Sequence, residues 1–590
     1  MRKILAILMA VMMLTASAAL GEAVPASVSG EFSGTAKGFG GDVTVTVEVS
    51  DSAILSVAAE GPSETAGIGT NALDMLPAAI VEKQTLKLDA IAGCTFTSEA
   101  VLAAAAEALR QSGATDEEIY AEPAAATAAE DEVIDANVLI VGAGAAGLSA
   151  AMRAHQNGVE NVLVIEKMPA IGGATALAGG GMQGFVQSED PDKTQESIEE
   201  LFMYWCKTGK FTNNARLTML AAKLSTPAIE WLKETGVSIT GGPVEGELTA
   251  SYGCEGLAGT AINTLYSKVV EAGVPVMLDT KAEHLIMDGD RVVGVEATGS
   301  NGQKITFRAN AVLLATGGYG NNPALISDTS ILDRVIYYGN VGATGDGHVM
   351  MQEIGVPMFN MDKVATKHFG VETSPGLGIH IHMAVAPLFT QTGAIAVNKE
   401  GVRVVNEGGD ELDIALASMY QSSDGRLYII CDQPSYDLFK GVLTKYFFTE
   451  EQLDQFIAEN GSGVTKLVKN DTLAGACEAI GLDPAAVEAT VAEYNAGIAA
   501  GNEDPFKRGY TAQLSEEGPY YILQTVARYA TTLGGCNVSN QMEVLDSNEQ
   551  PIPGLYAAGE VVGNVNGSYA HYLVWCFGSG WEFGNVIAGK

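Results

Sequence analysis

The stretch Val138-Leu139-Ile140-Val141-Gly142-Ala143-Gly144-Ala145-Ala146-Gly147 decides the fold class. Its four apolar residues predict a buried strand, and the pattern that follows the glycines, as far as Gln156, is helical. Such glycines permit a tight turn, let the backbone approach a pyrophosphate and allow the helix to pack closely on the strand. The helix N-terminus supplies positive potential. The stretch therefore predicts an α/β, Rossmann-like dinucleotide-binding unit.

Further segments extend this unit along the chain. A second apolar strand, Val162 to Ile165, ends at Glu166, which lies 19 residues after Gly147 and is placed to accept hydrogen bonds from ribose hydroxyls. Another glycine turn follows Glu166 directly, and two more glycine segments end apolar strands much later in the chain. These three segments are Lys167 to Thr175, Ala315 to Gly318 and Gly554 to Glu560.

Composition excludes several classes of function. The chain has 590 residues, with 33 basic against 71 acidic side chains and a formal net charge of −38. This charge argues against a nucleic-acid partner and disfavours docking on anionic lipid. The seven cysteines are scattered singly, which favours buried free thiols over a disulfide framework. Because no C-x-x-C-H occurs, c-type haem is excluded.

The first 23 residues are typical of a Sec signal peptide. Arg2 and Lys3 precede an apolar run from Ile4 to Leu14, and Ala16-Ser17-Ala18 provides a small-residue cleavage site. The alternative is a short buried helix. We expect an extracytoplasmic protein, located in the periplasm, on the cell surface or outside the cell. After the signal peptide, residues 26–113 predict one small domain and residues 114–131 a linker without periodicity.

From residue 133 onwards, the order of motifs resembles the fumarate reductase and succinate dehydrogenase flavoprotein superfamily, in a haem-free form similar to flavocytochrome c. The resemblance implies an FAD-binding domain in two parts, 132–355 and 526–590, with an inserted α+β capping domain over 356–525 that holds the substrate. It also implies contacts with FAD from Gly142, Ala143, Gly144, Ala146, Gly147, Glu166, Lys167, Gly173, Ala174, Thr175, Gly317, Gly318 and Glu560.

The small domain carries a second flavin signature. Asp89-Ala90-Ile91-Ala92-Gly93-Cys94-Thr95 resembles the motif of an α+β FMN-binding domain of respiratory flavoproteins, with Ala92 and Cys94 as departures from it. The resemblance implies that a flavin transferase joins FMN covalently to Thr95 through a phosphodiester. A hydroxyl at a helix N-terminus is well placed to hold a phosphate. The alternative is an ordinary N-cap threonine.

The catalytic pattern departs from that family. Where the family has a proton-donating arginine, a histidine and a carboxylate-binding arginine, this chain has Glu411, Thr531 and Ala570. We therefore expect neither fumarate nor succinate as substrate, because Glu411 would repel a carboxylate unless protonated. Arg528 remains available for one carboxylate or a phenolic oxygen.

Nearby polar side chains supply candidate catalytic residues. We predict Tyr569 or His571 as proton donor and Arg528 and His368 as substrate-binding residues, with core packing as the alternative for each. For His380 and His382, a strand or loop role is favoured over a metal pair, and no metal site is predicted.

Together these features predict an exported two-flavin oxidoreductase that serves anaerobic respiration. A membrane-bound redox partner would pass electrons through FMN to FAD, which would reduce an activated C=C bond of a small organic acceptor, an enoate or enone. Two alternatives remain open: a dehydrogenase of the 3-ketosteroid type, and a non-catalytic flavin electron carrier.

Overall fold

The computed structural model describes residues 28–50, 53–64, 69–88, 95–121, 131–300, 302–563, 565 and 572–590. The predicted signal peptide, most of the FMN motif and the candidate proton donors Tyr569 and His571 lie outside the described residues. Within the described ranges, none of the helices combines the length and the apolar character needed to cross a membrane.

The N-terminal unit is a three-stranded antiparallel sheet covered by helices. Strand β2 alternates buried and exposed residues as its sequence predicts, because valines and polar residues take turns along it. The elements are β1 (Gly30–Lys37), β2 (Asp42–Val49), β3 (Ile54–Glu60), α1 (Gly69–Lys83), α2 (Thr95–Gln111) and α3 (Asp116–Ile119).

Part of the predicted linker belongs to this unit. Thr115 and Glu118 form a capping box that starts the one-turn helix α3, and Ile119 is fully buried in the core of the N-terminal unit. The Leu86 amide donates a hydrogen bond to the Ile119 carbonyl. The prediction of a linker from residue 114 is therefore wrong, because a buried isoleucine and a capped turn extend the folded unit to about residue 121.

The second unit is built on a largely parallel sheet. Strand β12 lies beside β4, which pairs with β5, and β5 pairs with β9; all three pairings are parallel. Strands β10 and β11 extend the sheet beyond β12, and helix α4 follows β4 after the glycine turn. Its elements are β4 (Glu132–Val141), α4 (Ala145–Gln156), β5 (Val162–Ile165), β6 (Gly181–Phe185), α5 (Pro191–Thr208), α6 (Ala215–Thr235), β7 (Ile239–Gly242), β8 (Thr249–Cys254), α7 (Leu257–Glu271), β9 (Val276–Met277), β10 (Lys281–Asp288), β11 (Arg291–Thr298) and β12 (Lys304–Leu314).

The third unit contains a mixed seven-stranded sheet in the order β13-β15-β14-β19-β17-β16, with β18 also paired to β19. Two of its strands extend beyond the predicted limits of the capping domain, 356–525, because β13 lies before residue 356 and β19 continues past residue 525. The two strands pair with each other, with Val335 opposite Ala527. The elements are β13 (Val335–Tyr337), α8 (Asp346–Glu353), β14 (Val364–Ser374), β15 (Leu377–His380), α9 (His382–Gln391), β16 (Ile395–Val397), α10 (Glu411–Gln421), β17 (Arg426–Cys431), α11 (Gln433–Tyr446), α12 (Glu450–Glu459), β18 (Leu467–Asn470), α13 (Leu473–Ile480), α14 (Pro484–Ala499) and β19 (Tyr520–Thr532).

The chain then returns to the second unit. Strand β20 (Glu543–Leu545) pairs with β21 (Pro551–Ala557), which joins the parallel sheet beside β12. The last helix, α15 (Tyr572–Val586), packs so closely on α4 that a Cβ added at Gly580 would lie 2.0 Å from the Ala146 carbonyl oxygen. This contact packs the last helix directly on the helix that follows the glycine turn. The predicted fold class, a Rossmann-like unit with an inserted α+β unit, is confirmed.

Candidate functional site

A cavity lies at the carboxyl ends of the parallel strands β4, β5 and β12. All the residues predicted to contact FAD line it except Ala143 and Gly147. The carboxyl edge of a parallel sheet is where α/β folds bind nucleotides. The structure thus brings four separated sequence segments to one place.

Two glycines shape the turn through close packing. A Cβ at Gly142 would lie 2.3 Å from the Ala315 carbonyl oxygen, and a Cβ at Gly147 would lie 1.8 Å from the Gly142 carbonyl oxygen. Gly142 also has a φ of +112°, which side-chain-bearing residues rarely adopt. Gly147 therefore serves the packing of α4 on β4 rather than the cavity wall.

Three other glycines keep the cavity open. A Cβ at Gly144 or Gly173 would meet no atom closer than 3.7 Å, and one at Gly317 would meet nothing within 4 Å. Since all three line the cavity, side chains there would occupy the cavity itself. A bare backbone beside the N-terminus of α4 is what an approaching pyrophosphate requires, so these residues fit a dinucleotide.

Glu166 is held at the end of β5 by backbone amides. One carboxylate oxygen accepts from the Ala143 amide at 2.8 Å and the other from the Met168 amide at 2.9 Å. Burial raises the pKa of this carboxyl, and the amide hydrogen bonds oppose that rise. Ala143 thus acts through Glu166, which the turn orients toward the cavity.

Several residues of the cavity wall were not predicted from the sequence, among them Asn340, Ala343 and Asp346. Lys167 forms an ion pair with Asp346, the first residue of α8, and also hydrogen-bonds Thr344. Asn340 and Ala343 line the wall from the loop before α8. In the sequence, the glycine-containing segment Gly342-Ala343-Thr344-Gly345-Asp346 could have indicated these residues, because it leads from a buried strand into a helix.

Glu560 also lines the cavity. One of its carboxylate oxygens accepts from the Thr532 amide at 2.8 Å and from the Thr532 hydroxyl at 3.2 Å. Burial raises the pKa of Glu560 to about 7, although both hydrogen bonds act to lower it. Thr532 is the last residue of β19, so this contact ties the capping sheet to the cavity.

Arg528 lies on β19 four residues before Thr532, and the register between β19 and β14 shifts between Tyr529 and Thr532. Its side chain is buried, donates to a Glu411 carboxylate oxygen at 2.9 Å and to the His368 carbonyl at 3.2 Å, and stacks 4.4 Å above the Tyr338 ring. Arg528 is therefore already paired with a carboxylate of the protein.

Glu411 carries a negative charge in this arrangement. Burial alone would raise its pKa, but contact with His380 and the charge of Arg528 lower the pKa to about 2. That Arg528 holds one substrate carboxylate or a phenolic oxygen stays a prediction; in the structure, Glu411 pairs with that guanidinium and neutralises its charge.

Two histidines face Glu411. His380 Nε2 lies 3.5 Å from one Glu411 oxygen and His382 Nδ1 lies 3.5 Å from the other. Within the described part of the chain, neither nitrogen has a hydrogen-bond partner. Burial lowers the pKa of His380 to about 4, so its ring is neutral at pH 7. His380 is the last residue of β15 and His382 is the first residue of α9. The prediction gave them a strand or loop role and did not include their position beside Glu411.

The remaining candidates differ in position. The His368 ring is completely buried, and burial lowers its pKa to about 3, so this neutral ring has no surface for a substrate to contact. Thr95 is the first residue of α2. Two residues on, Thr97 donates to the buried Glu64 at 2.7 Å, which fixes the first turn of that helix.

Comparison with known proteins identifies the family. Residues 137–572 match the FAD binding domain family and residues 38–110 match the FMN-binding domain family. Urocanate reductase from Eggerthella lenta is 32% identical over 571 residues, which cover 94% of this chain and 90% of that protein. Vinyl phenol reductase from Lactiplantibacillus plantarum is 26% identical over 460 residues, covering 73% and 90%.

A solved structure of a flavocytochrome c3 fumarate reductase in its open conformation superposes with a TM-score of 0.61 at 28% identity, covering 77% of this chain and 78% of that one. The order of motifs, the cavity and these similarities agree. The chain belongs to the FAD-dependent, fumarate reductase-type oxidoreductases and carries an FMN-binding domain ahead of its FAD binding domain.

Proposed function

We propose that this protein is an exported two-flavin oxidoreductase that takes electrons from a membrane-bound redox partner and reduces an activated C=C bond of a small organic acceptor other than fumarate, an enoate or an enone. The presence of both flavin-binding domains supports the two-flavin part. The similarity to urocanate reductase and vinyl phenol reductase supports a C=C bond as the target, because the names of both relatives denote reduction of unsaturated compounds.

FAD fits the cavity described above. Gly144, Gly173 and the N-terminus of α4 would face the pyrophosphate, and Glu166 would accept from ribose hydroxyls. Glu560 would accept from further hydroxyls, which would compensate for the burial of its carboxylate. Bound there, FAD would supply hydride transfer to one carbon of the acceptor.

The N-terminal unit would hold FMN at Thr95. A threonine at the start of the 17-residue helix α2 stands among amides that have no partner within the helix, and this favours an attached phosphate. We propose that a flavin transferase makes this phosphodiester bond after export. Covalent attachment would keep the flavin in a compartment where a dissociated one is lost.

The observation that carries the proposed substrate class is the pairing of Arg528 with Glu411. A dicarboxylate beside a flavin needs cationic partners for both ends, because a buried unpaired carboxylate costs several kcal/mol. Here the buried guanidinium of Arg528 is already neutralised by Glu411. An acceptor with one activating group avoids this cost, and we propose Tyr569 or His571 as the donor of its proton.

The proposed function is tested by anaerobic assays with reduced viologen and a panel of enones, enoates and fumarate, using holoenzyme loaded with both flavins. The expected result is acceptor-dependent viologen oxidation with at least one enone or monocarboxylic enoate. Holoenzyme that binds both flavins and reduces no member of the panel would support a non-catalytic carrier instead. Separately, N-terminal sequencing of the native protein should find a start between about residues 19 and 24.

A further inference from the structure

Two cations lie directly opposite each other on neighbouring strands of the capping sheet. Lys367 of β14 pairs in register with Arg528 of β19 in an antiparallel arrangement. Directly opposite residues of such a pair project from the same face of the sheet, and like charges in these positions destabilise it. Glu411 offsets part of this cost, because it accepts from Arg528 and also interacts electrostatically with Lys367. Two cations therefore share one carboxylate.

The two cations differ in exposure. The Arg528 side chain is 1% exposed and is hydrogen-bonded to Glu411. Lys367 is half-buried, whereas its neighbours Thr366 and His368 are buried. An ammonium has three hydrogen-bond donors, so it can keep a contact within the protein and still donate to an oxygen of a bound molecule. Along this stretch of β14, the lysine is therefore the side chain that a substrate can reach.

Two connections link the pair of cations to the cavity that fits FAD. Strand β19 ends at Thr532, which hydrogen-bonds Glu560 of the cavity wall. Tyr338 stacks on the guanidinium of Arg528 at 4.4 Å, and Asn340, two residues further along the chain, lines the cavity. An acceptor held between the capping unit and bound FAD would therefore lie near the two cations.

We propose that Lys367 is the specificity-determining residue that donates a hydrogen bond to the activating oxygen of the acceptor, the carboxylate of an enoate or the carbonyl of an enone. This inference rests on the proposed function and adds the group that recognises the acceptor. A full positive charge favours a carboxylate, so an enoate should bind better than an enone of the same shape. One such cation serves one carboxylate, which agrees with an acceptor other than fumarate. Lys367, Arg528 and Glu411 then form the substrate side of the site.

The same contact would assist the reduction. When a hydride adds to the β carbon of the acceptor, the electron pair of the C=C bond moves toward the activating group, and negative charge develops on its oxygen. A proton then adds to the α carbon and removes that charge. A cation already in place stabilises the oxygen while the charge is present. Lys367 would therefore affect both binding and rate.

The first test measures binding without turnover. Oxidised holoenzyme is titrated with 3-phenylpropanoate, a saturated monocarboxylate, and the change in flavin absorbance gives Kd. Lys367→Met keeps the length of the side chain and removes its charge, and it should raise this Kd about 10- to 100-fold, the effect of losing a hydrogen bond to a charged group. The control Lys363→Met removes a partly exposed lysine just before β14 and should leave Kd within about twofold of wild type.

The second test compares two matched acceptors with reduced viologen. They are 3-phenylprop-2-enoate and 4-phenylbut-3-en-2-one, which differ in a carboxylate against a methyl ketone. Lys367→Met should lower kcat/KM about 100- to 1000-fold for the enoate but at most about tenfold for the enone, whose oxygen is uncharged before the hydride adds. Bound FAD should be unchanged. Lys367→Arg keeps a cation and should restore turnover of the enoate to within about tenfold of wild type.

The possible outcomes are distinct. A structural role, in which Lys367 only balances the charge of Glu411, would lower kcat/KM for both acceptors equally. Such equal losses, or a Kd for 3-phenylpropanoate that Lys367→Met leaves unchanged, overturn the assignment of Lys367 and leave the proposed function standing. Failure of wild-type holoenzyme to bind 3-phenylpropanoate overturns the assignment as well. No reduction of either acceptor by wild-type holoenzyme defeats both proposals.

Discussion

The buried ion pair between Arg528 and Glu411 can be tested through stability. Glu411→Gln preserves shape and leaves the guanidinium, which is 1% exposed, without its counter-charge. His380, Arg528, Lys367 and His382 together lower the pKa of Glu411 from 4.5 to about 2, which corresponds to about 3 kcal/mol of stability at pH 7 for all of these contacts combined. Breaking a buried pair by removing one partner costs about 3–5 kcal/mol in other proteins, so the two values agree.

The effect should depend on pH in a defined direction. Because the folded pKa lies below the unfolded one, the contribution is complete above pH 4.5 and is lost as the pH falls toward 2. At pH 7 we expect the unfolding transition of the capping unit to move down by roughly 6–12 °C. The gap between wild type and variant should narrow below pH 4.5.

The assay is scanning calorimetry of the holoenzyme combined with hydrogen exchange of peptides from β19 and α10. Two control variants are measured in the same way. Asp42→Asn breaks an ion pair whose side chains are 78% and 69% exposed, and should change stability by less than about 1 kcal/mol. The double variant Glu411→Leu with Arg528→Met should recover most of the loss, since apolar replacement of a buried pair is often neutral. A Glu411→Gln protein melting within 1 °C of wild type would refute the reasoning.

Three further predictions concern the flavin sites and the proton donor. Gly144→Leu should weaken FAD binding at least about tenfold (~1.4 kcal/mol) with an unchanged fold, because its side chain would enter the cavity and meet little protein; titration of apoprotein with FAD measures this. Thr95→Ala should lose the covalent FMN while Thr97→Ala keeps it, as intact mass shows after coexpression with a flavin transferase; an adduct on Thr95→Ala would disprove the assignment. Tyr569→Phe or His571→Ala should slow turnover about 10²- to 10⁴-fold with FAD still bound, and wild-type rates in both variants would exclude these donors.

The order of strands, glycine turns and helices in the second unit was readable from the sequence because local patterns determine it. The segment from Val138 to Gly147 combines an apolar strand with the glycines of a tight turn. The structure explains two of these glycines, because a Cβ added at Gly147 or Gly142 would lie only 1.8 or 2.3 Å from a backbone oxygen. The end of the N-terminal unit was misjudged because the burial of Ile119 depends on a distant contact with Leu86.

The substrate side was predicted less well because it is assembled from contacts between distant segments. Glu411 and Arg528 are 117 positions apart, so no local pattern shows that they neutralise each other. His380 and His382 were noticed, but their relation to Glu411 arises only when α10 packs near β15 and α9. His368 was selected by similarity to a family position. Its ring is buried and neutral, and its backbone carbonyl accepts a hydrogen bond from Arg528.

The central claim, reduction of an activated alkene other than fumarate, is tested most directly by a single-turnover experiment. Photoreduced holoenzyme is mixed anaerobically with 4-(4-hydroxyphenyl)but-3-en-2-one or with fumarate, and flavin absorbance is followed by stopped flow. We predict reoxidation by the enone within seconds and none by fumarate beyond the buffer blank. Reoxidation by fumarate as fast as by the enone would contradict the account. Fumarate needs a cationic partner for each of its two carboxylates, and the guanidinium of Arg528 is already paired with Glu411.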